Sequence, residues 1–219
     1  MTQRTLRFLL PVAIAAPLIA AFGGWAVTTI EDVPDYAAVR RPLDLTFTVR
    51  QHGEEPMPDL SGSVEARKGS QTLRAAATSN GKRGQYTTRL NLPEPGDWTL
   101  TVNGGYGDTR ATLTLPVVAA GAAAPAPLSD AARGQRLFNA KGCVTCHLHA
   151  GVAGSGRVKV GPELTDKRFA PEYLQQFLAN PSIKPPSPGV NARMPNLGLK
   201  PAEIAALVAF INGERQASR

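Results

Sequence analysis

The two cysteines of this chain lie close together, in the segment "NAKGCVTCHLHAG" at residues 139–151. Two residues separate Cys143 from Cys146, and His147 follows the second cysteine directly. Thiols at this spacing can form a redox-active disulfide, supply half of a metal site, or attach a larger group covalently. The surrounding sequence has to distinguish these three kinds of chemistry.

The disulfide and zinc alternatives fit the surrounding sequence poorly. A thioredoxin-like cysteine pair belongs to a βαβ unit, and no such pattern surrounds Cys143. A structural zinc ion takes four ligands. Cys143, Cys146, His147 and His149 could supply them, but adjacent residues 146 and 147 do not easily face one small ion. The sequence Cys-x-x-Cys-His is instead the attachment signal of c-type haem, whose vinyl groups take the two thiols and whose iron takes the histidine.

The N-terminus predicts export from the cytoplasm. Arg4 and Arg7 precede residues 8–30, which contain no charged residue. This run fits a membrane span of about 20 residues better than a signal-peptide core of roughly 7–15 residues. We predict a transmembrane anchor at residues 1–30 that crosses the bacterial inner membrane once and leaves the rest of the chain in the periplasm. A long signal peptide is the alternative, and both readings place the cysteines where covalent haem attachment takes place.

Residues 31–118 alternate apolar and polar residues, as β-strands do when one face is buried. The alternation is clearest at residues 43–50, 85–92, 97–103 and 109–115. The turn sequences "PEPGD" and "NGGYGD" separate the last three of these segments. We predict an antiparallel β-sandwich that serves as a spacer. Its strand pattern and the segment "PEPGDWTLTV" resemble the small immunoglobulin-like domains found beside periplasmic redox and copper-handling proteins.

One loop of the predicted sandwich has two residues that could bind copper. His52 and Met57 lie in "RQHGEEPMPD" at residues 50–59. Imidazole and thioether groups both suit copper. Two ligands are few for a site, so we predict a solvated loop and keep a copper-handling or assembly factor as an alternative function.

A linker separates the sandwich from the cysteine segment. Residues 119–129 are mostly Ala and Pro, a composition of semi-extended spacers. The net charge of +7 is uneven, because residues 119–219 carry 12 Lys and Arg against 6 Asp and Glu. The basic excess therefore accompanies the cysteines.

The C-terminal segment resembles the class I cytochromes c in several motifs. The family's first helix and haem loop are similar to "ARGQRLFNAKGCVTCH", its proline turn to "VGPELTD" and its middle helix to "APEYLQQFLANP". The segment "NARMPNLGLKPAEIAALVAFING" is similar to its methionine loop and last helix. The resemblance implies an all-α domain at residues 130–219 with one covalent haem c. The predicted fold class is thus multidomain: a transmembrane helix, an antiparallel immunoglobulin-like sandwich and an all-α cytochrome c domain.

The resemblance also assigns roles to five residues. Cys143 and Cys146 attach the haem, and His147 is the proximal iron ligand. The carbonyl of Pro162 receives the other ring N–H of that histidine, which fixes the ring. Met194 is the distal iron ligand, since it is the methionine that follows the haem cysteines. His149 is the rival ligand, and we interpret it as a surface residue.

These ligands predict an electron-transfer protein rather than an enzyme. Iron with imidazole and thioether on its two sides has no open position for oxygen, and the thioether favours Fe(II). The partner would be a membrane redox complex: an oxidase, a photosynthetic reaction centre or a quinol-oxidising complex. The chain would act as a carrier or as a subunit. Export argues against nucleic acid as a partner. A haem sensor or catalyst with a labile distal ligand is the alternative.

Overall fold

The computed structural model describes residues 24–184 and 193–213. Within these residues, strands come first and helices follow. The strands are β1 (Ala26–Ile30), β2 (Ala37–Ala38), β3 (Leu43–Gln51), β4 (Glu55–Pro56), β5 (Ser63–Lys68), β6 (Gln71–Ala76), β7 (Thr78–Ser79), β8 (Gln85–Leu90), β9 (Gly96–Asn103) and β10 (Arg110–Val118). The helices are α1 (Asp130–Ala140), α2 (Pro171–Ala179) and α3 (Pro201–Ile211).

The strands form two sheets, which enclose a common apolar core. One sheet has the order β1-β3-β8-β7, with β4 also pairing with β3, and the other has the order β2-β10-β9-β5-β6. The pairs are antiparallel except for β2 and β10, which are parallel. We call this unit, residues 24–118, the β domain.

The core of the β domain is formed by every second side chain of its strands. In β9, Trp98, Leu100 and Val102 are buried, whereas the residues between them are exposed or half-buried. Phe47 of β3 stacks on Tyr86 of β8 with the ring centroids 5.6 Å apart. Each strand thus presents one apolar face to the space between the sheets, and burial of that face stabilises the pair of sheets.

Strand β1 overturns the last part of the predicted membrane anchor. All five residues of β1 are buried. Ala26 and Ile30 belong to the core of the β domain, whereas the hydroxyl of Thr29 donates to the carbonyl of Lys141, outside that domain, at 3.3 Å. A strand that is covered on both faces lacks the polar alternation of a half-exposed strand. The sequence pattern therefore does not distinguish β1 from the end of an apolar helix.

The predicted fold class is accordingly wrong at its N-terminal end. Residues 26–30 belong to a sheet, and residues 1–23 of the predicted anchor lie outside the described residues. Across residues 24–184 and 193–213, no helix combines the length and the apolar character that a membrane crossing requires.

The prediction of an all-α domain at residues 130–219 is also wrong. In the described part of this segment, α1, α2 and α3 have 11, 9 and 11 residues. Two short 3-10 turns accompany them, and irregular connections make up the remainder. The connection at residues 151–162 is rich in glycine and ends in proline. Glycine disfavours helices and proline lacks an amide hydrogen, so these connections do not continue the helices. We call residues 129–213, which contain the predicted haem-attachment signal, the haem domain.

Helices α1 and α3 pack together closely at a glycine. A Cβ atom placed on Gly134 of α1 would lie 2.0 Å from the carbonyl oxygen of Ala206 in α3. Helix α1 begins after Ser129, whose hydroxyl accepts the N–H of Ala132 at 3.3 Å. Beside the crossing, Leu137 of α1 and Leu207 of α3 are buried in one apolar cluster. The crossing therefore depends on the absence of a side chain at residue 134.

We expect Gly134→Ala to lower the free energy of unfolding by about 1–3 kcal/mol, because the added methyl group overpacks the crossing. This sign is opposite to helix propensity, which favours alanine over glycine by about 1 kcal/mol. Urea denaturation measures the change. Ala131→Ser, at an exposed position of the same helix, should change stability by no more than about 0.5 kcal/mol. A Gly134→Ala protein as stable as the parent would contradict the close crossing.

Candidate haem-attachment site

The two cysteines lie in a 3-10 turn directly after α1. The turn covers Cys143–Thr145. The carbonyl of Cys143 accepts the N–H of Cys146 at 3.2 Å and the N–H of His147 at 3.0 Å. Cys143 and Cys146 are not joined by a disulfide. One tight turn therefore holds both thiols and the imidazole within five residues.

Gly142 sets the direction in which this turn leaves the helix. Its φ is +80°, a left-handed conformation that glycine adopts without strain. A Cβ atom on Gly142 would lie 2.5 Å from the carbonyl oxygen of Thr28 in β1. The cysteine turn thus lies directly against β1, the edge strand of the β domain.

Both thiols are in surroundings that disfavour the thiolate. Burial raises the pKa of the Cys143 thiol to about 12, with a smaller contribution from Cys146. Burial also raises the pKa of the Cys146 thiol to about 11. Zinc binding and thiol–disulfide exchange both use the thiolate. In these surroundings the protonated form of both thiols is therefore favoured at neutral pH.

The imidazole of His147 is oriented by a backbone carbonyl. Its Nδ1 lies 2.9 Å from the carbonyl oxygen of Pro162. Because that oxygen can only accept, Nδ1 carries the proton and Nε2 keeps a free lone pair. Burial lowers the pKa of His147, and the hydrogen bond to Pro162 opposes this shift. The neutral imidazole that iron requires is thus the favoured form at neutral pH.

A glycine next to Pro162 leaves room for this imidazole. A Cβ atom on Gly161 would lie 2.5 Å from Cε1 and 2.6 Å from Nδ1 of His147. The N–H of Gly161 donates to the carbonyl of Cys146 at 3.1 Å, which joins the proline turn to the cysteine turn. The position of the ring therefore depends on Gly161 as well as on Pro162.

Met194 borders the same apolar cluster as the cysteine turn. Met194 and Cys143 are both partly buried and pack against the cluster that contains Phe138, Leu164 and Leu207. A protonated thiol pair, a neutral imidazole with a free nitrogen and a thioether at one apolar cluster are the donor set and surroundings that a haem c takes. The residues present thus fit this group.

His149, the rival ligand, makes other contacts. Its ring lies 4.4 Å from the ring of Phe210 in α3 and 5.8 Å from that of Phe138, centroid to centroid. Its Nδ1 accepts the N–H of Gly151 at 3.1 Å. Aromatic packing and a backbone hydrogen bond therefore fix the position of the His149 ring.

The two candidate copper ligands in the β domain have separate surroundings. His52 lies against Trp25 with the ring centroids 5.5 Å apart. Met57 packs against the core of the β domain, and its carbonyl accepts the hydroxyl of Tyr86 at 2.6 Å. Among the described residues, no three His, Cys, Asp or Glu side chains are grouped so that they could hold a metal ion. The structure therefore gives no support to a copper site in this loop.

Residues 129–211 match the family model described as "Cytochrome C oxidase, cbb3-type, subunit III". The matched range contains the cysteine turn, the proline turn, the methionine loop and helices α1 to α3. The match supports a C-terminal c-type cytochrome domain, which is a haem-containing electron-transfer module. No curated protein matches the chain.

Solved structures resemble this chain only weakly. Domains 4 and 5 of the S-layer protein SbsC are 14% identical with a TM-score of 0.32, covering 43% of this chain and 46% of that chain. A β-glucosidase from Listeria innocua is 12% identical with a TM-score of 0.31, covering 44% of this chain and 16% of that chain. A superoxide reductase (neelaredoxin) from Ignicoccus hospitalis is 15% identical with a TM-score of 0.29, and the match covers 42% of this chain and 80% of that chain. At such TM-scores the likenesses carry no conclusion, so the immunoglobulin-like resemblance stays a prediction.

Sequence reasoning missed three residues that shape this site. Gly161 was visible within "VGPELTD", next to the proline, but nothing in the sequence relates it to the ring of His147. Lys141 and Glu203 form a buried ion pair across α1 and α3 with an N–O distance of 2.9 Å. A lysine before the cysteine turn and a glutamate in a distant helix carry no sequence signal that pairs them.

We expect Gly161→Ala to weaken the bond between His147 and iron in the haem-loaded protein, because the methyl group displaces the ring from the Pro162 carbonyl. Changes to such supporting contacts typically cost about 10–100-fold in metal binding. The high-spin fraction in the absorption spectrum should rise accordingly. Gly151→Ala is the matched control, since its methyl group would meet the ring of His149 at 3.2 Å and not the ring of His147. An unchanged low-spin spectrum for Gly161→Ala would contradict this role.

Proposed function

We propose that this chain is a periplasmic monohaem cytochrome c that passes single electrons in association with a membrane respiratory oxidase complex. The match of residues 129–211 to the subunit III family supports an oxidase over a photosynthetic reaction centre as the partner. Covalent haem attachment takes place outside the cytoplasm, which supports the periplasm. The haem, when bound, supplies the one-electron chemistry of its iron.

The observation that carries this proposal is the histidine directly after the cysteine pair, fixed by a carbonyl. His147 is held as a neutral ring with Nε2 free, because Nδ1 donates to Pro162 at 2.9 Å. The two cysteines, protonated and partly buried, supply the attachment points. These residues would thus bind and orient the haem.

We assign Met194 as the second residue that would hold the haem iron, together with His147. Its thioether would stabilise Fe(II). A haem held by these two residues would suit electron transfer and not catalysis on a bound substrate. This assignment favours an electron carrier or complex subunit over a gas sensor.

Exposed basic residues support docking to an acidic partner. Lys159, Lys167 and Arg168 are exposed on the connection that carries Pro162. Complementary charges steer association and fix orientation more than they add affinity. These basic side chains, which share the connection with the exposed Glu163 and Asp166, would therefore speed encounter with an acidic subunit of the oxidase.

We expect the double substitution Cys143→Ser and Cys146→Ser to abolish covalent haem. Serine hydroxyls cannot form the thioether bonds, so haem should separate from the chain in denaturing electrophoresis. Haem staining of the full-length protein, made with its attachment machinery, measures this. His149→Ala should keep the parent's stain. Staining that persists in the double variant would refute the attachment site.

We expect Met194→Ala to keep its covalent haem but lose the distal ligand. The reduction potential should fall, because the thioether that favours Fe(II) is gone. The ferrous protein should also bind added carbon monoxide rapidly, which the parent should bind only slowly. Redox titration and carbon monoxide binding measure the two effects.

Met57→Ala is the matched control for this ligand, because Met57 packs in the β domain. Its reduction potential and its rate of carbon monoxide binding should equal those of the parent. If Met194→Ala keeps the parent potential and still binds carbon monoxide only slowly, another residue provides the sixth ligand.

A further inference from the structure

A buried ion pair of the haem domain lies where that domain meets the β domain. Lys141 and Glu203 are only 2% and 5% exposed. The ammonium group of Lys141 lies 2.9 Å from Oε1 of Glu203 and also donates to the carbonyl of Glu31, at the end of β1. Oε2 of Glu203 accepts the N–H of Lys200 at 3.0 Å. One lysine thus joins the end of α1, the start of α3 and the β domain.

The charges of this pair suit the helix ends at which they lie. Lys141 follows the last residue of α1, where the helix dipole is negative. Glu203 lies in the first turn of α3, where the dipole is positive. Such a buried pair is costly to break, because removal of one partner leaves the other charged and unpaired in the interior.

The pair also connects to both segments that carry haem ligands. Lys141 precedes Gly142 and the cysteine turn, and its carbonyl accepts the hydroxyl of Thr29 from β1 at 3.3 Å. Glu203 fixes the backbone of Lys200, the residue that precedes α3 and follows Met194 by six positions. Both loops therefore meet at one buried contact.

The β domain touches the methionine loop at two further points. A Cβ atom on Gly53, in the turn between β3 and β4, would lie 3.1 Å from Cγ of Pro195. The side chain of Lys200 lies 2.6 Å from Oδ1 of Asp32. The neighbour of Met194 in sequence and the last residue of its loop thus both contact the β domain.

Other basic side chains of the haem domain bond to the β domain as well. Arg136 donates to the carbonyl of Asp35 at 3.1 Å, and Arg157 donates to that of Arg110 at 2.8 Å. Part of the basic excess of the C-terminal segment therefore binds the chain's own first domain. A spacer with a separately moving haem domain would not need such an interface.

We propose that the β domain is a positioning element of the haem site, which holds the cysteine turn and the Met194 loop in a fixed relation through the Lys141–Glu203 pair. This inference rests on the proposed function. Lys141, Glu203 and Asp32 are positioning residues in it, because they act through the loops and not on the haem. Substitution of these residues should let Met194 dissociate from the iron more often, whereas the haem should stay covalently attached.

The test compares full-length Lys141→Met with the parent. Methionine has an uncharged side chain one atom shorter than that of lysine and leaves Glu203 without its partner. We expect haem staining to persist, and carbon monoxide to bind the ferrous protein at least about tenfold faster, since binding must wait for Met194 to leave. The reduction potential should fall toward that of Met194→Ala. Glu203→Gln keeps one hydrogen-bond acceptor and should give a smaller change of the same sign, and it decides the question if Lys141→Met does not fold.

Two exposed carboxylates provide a matched control. Asp32→Asn removes the ion pair with Lys200, and Asp44→Asn removes a pair with Arg89 of the same 2.6 Å length inside the β domain. Carbon monoxide binding should be faster in Asp32→Asn and unchanged in Asp44→Asn. If Lys141→Met and Glu203→Gln lower only the urea midpoint and keep the parent potential and carbon monoxide rate, the pair merely stabilises the fold and the positioning role is refuted.

Hydrogen exchange separates this proposal from the haem assignment. In protein without haem, amides of residues 196–203 should exchange at least about tenfold faster in Lys141→Met than in Asp44→Asn. Faster exchange in a chain that never attaches haem would refute the proposed function and still support the positioning role. Equal exchange rates in the two variants would refute the positioning role.

Discussion

The buried charge of Lys141 constrains the arrangement of both domains. An ammonium group in the interior needs an opposite charge and further acceptors, because desolvation costs several kcal/mol per ion. Glu203 and the carbonyl of Glu31 provide them, and they lie in different parts of the chain. The end of α1, the start of α3 and the end of β1 must therefore meet before this charge is satisfied. The cysteine turn begins two residues after Lys141, so the contacts of Lys141 also fix the position of this turn.

Strand β1 also requires the two domains to be in contact, because it lies at the edge of its sheet. An edge strand has unpaired backbone groups and invites pairing with other chains unless something covers it. Here the haem domain covers it, since Gly142 lies against Thr28 and the carbonyl of Lys141 accepts the hydroxyl of Thr29. Val33 packs against the apolar clusters of both domains and continues this contact. Without the haem domain, the edge strand β1 of the β domain would therefore be exposed.

The sequence predicts features of the structure that depend on residues close together in the chain, and it does not predict contacts between distant residues. Strands β3, β8, β9 and β10 lie where the polar alternation predicts them, because each has one buried face. The same rule fails for β1, which is buried on both faces, and the family resemblance overstated the helical content of residues 130–213. The cysteine turn is a five-residue signal, and the bond between His147 and Pro162 follows from a motif nearby in sequence. Lys141 with Glu203 and Gly53 with Pro195 are contacts between distant residues, to which no local pattern corresponds.

This difference also explains why the family match ends where it does. The matched range, residues 129–211, includes each residue that we assign to bind the haem, and it excludes Asp32, Gly53 and strand β1. Iron ligation requires particular side chains at fixed spacing, whereas support of the ligand loops requires only a surface of suitable shape and charge. Different domains can therefore provide that support for the same ligand set. In this chain we assign that support to the β domain, so the segment to which we assign the haem ligands and the segment that would hold them in place belong to two separate parts of the sequence.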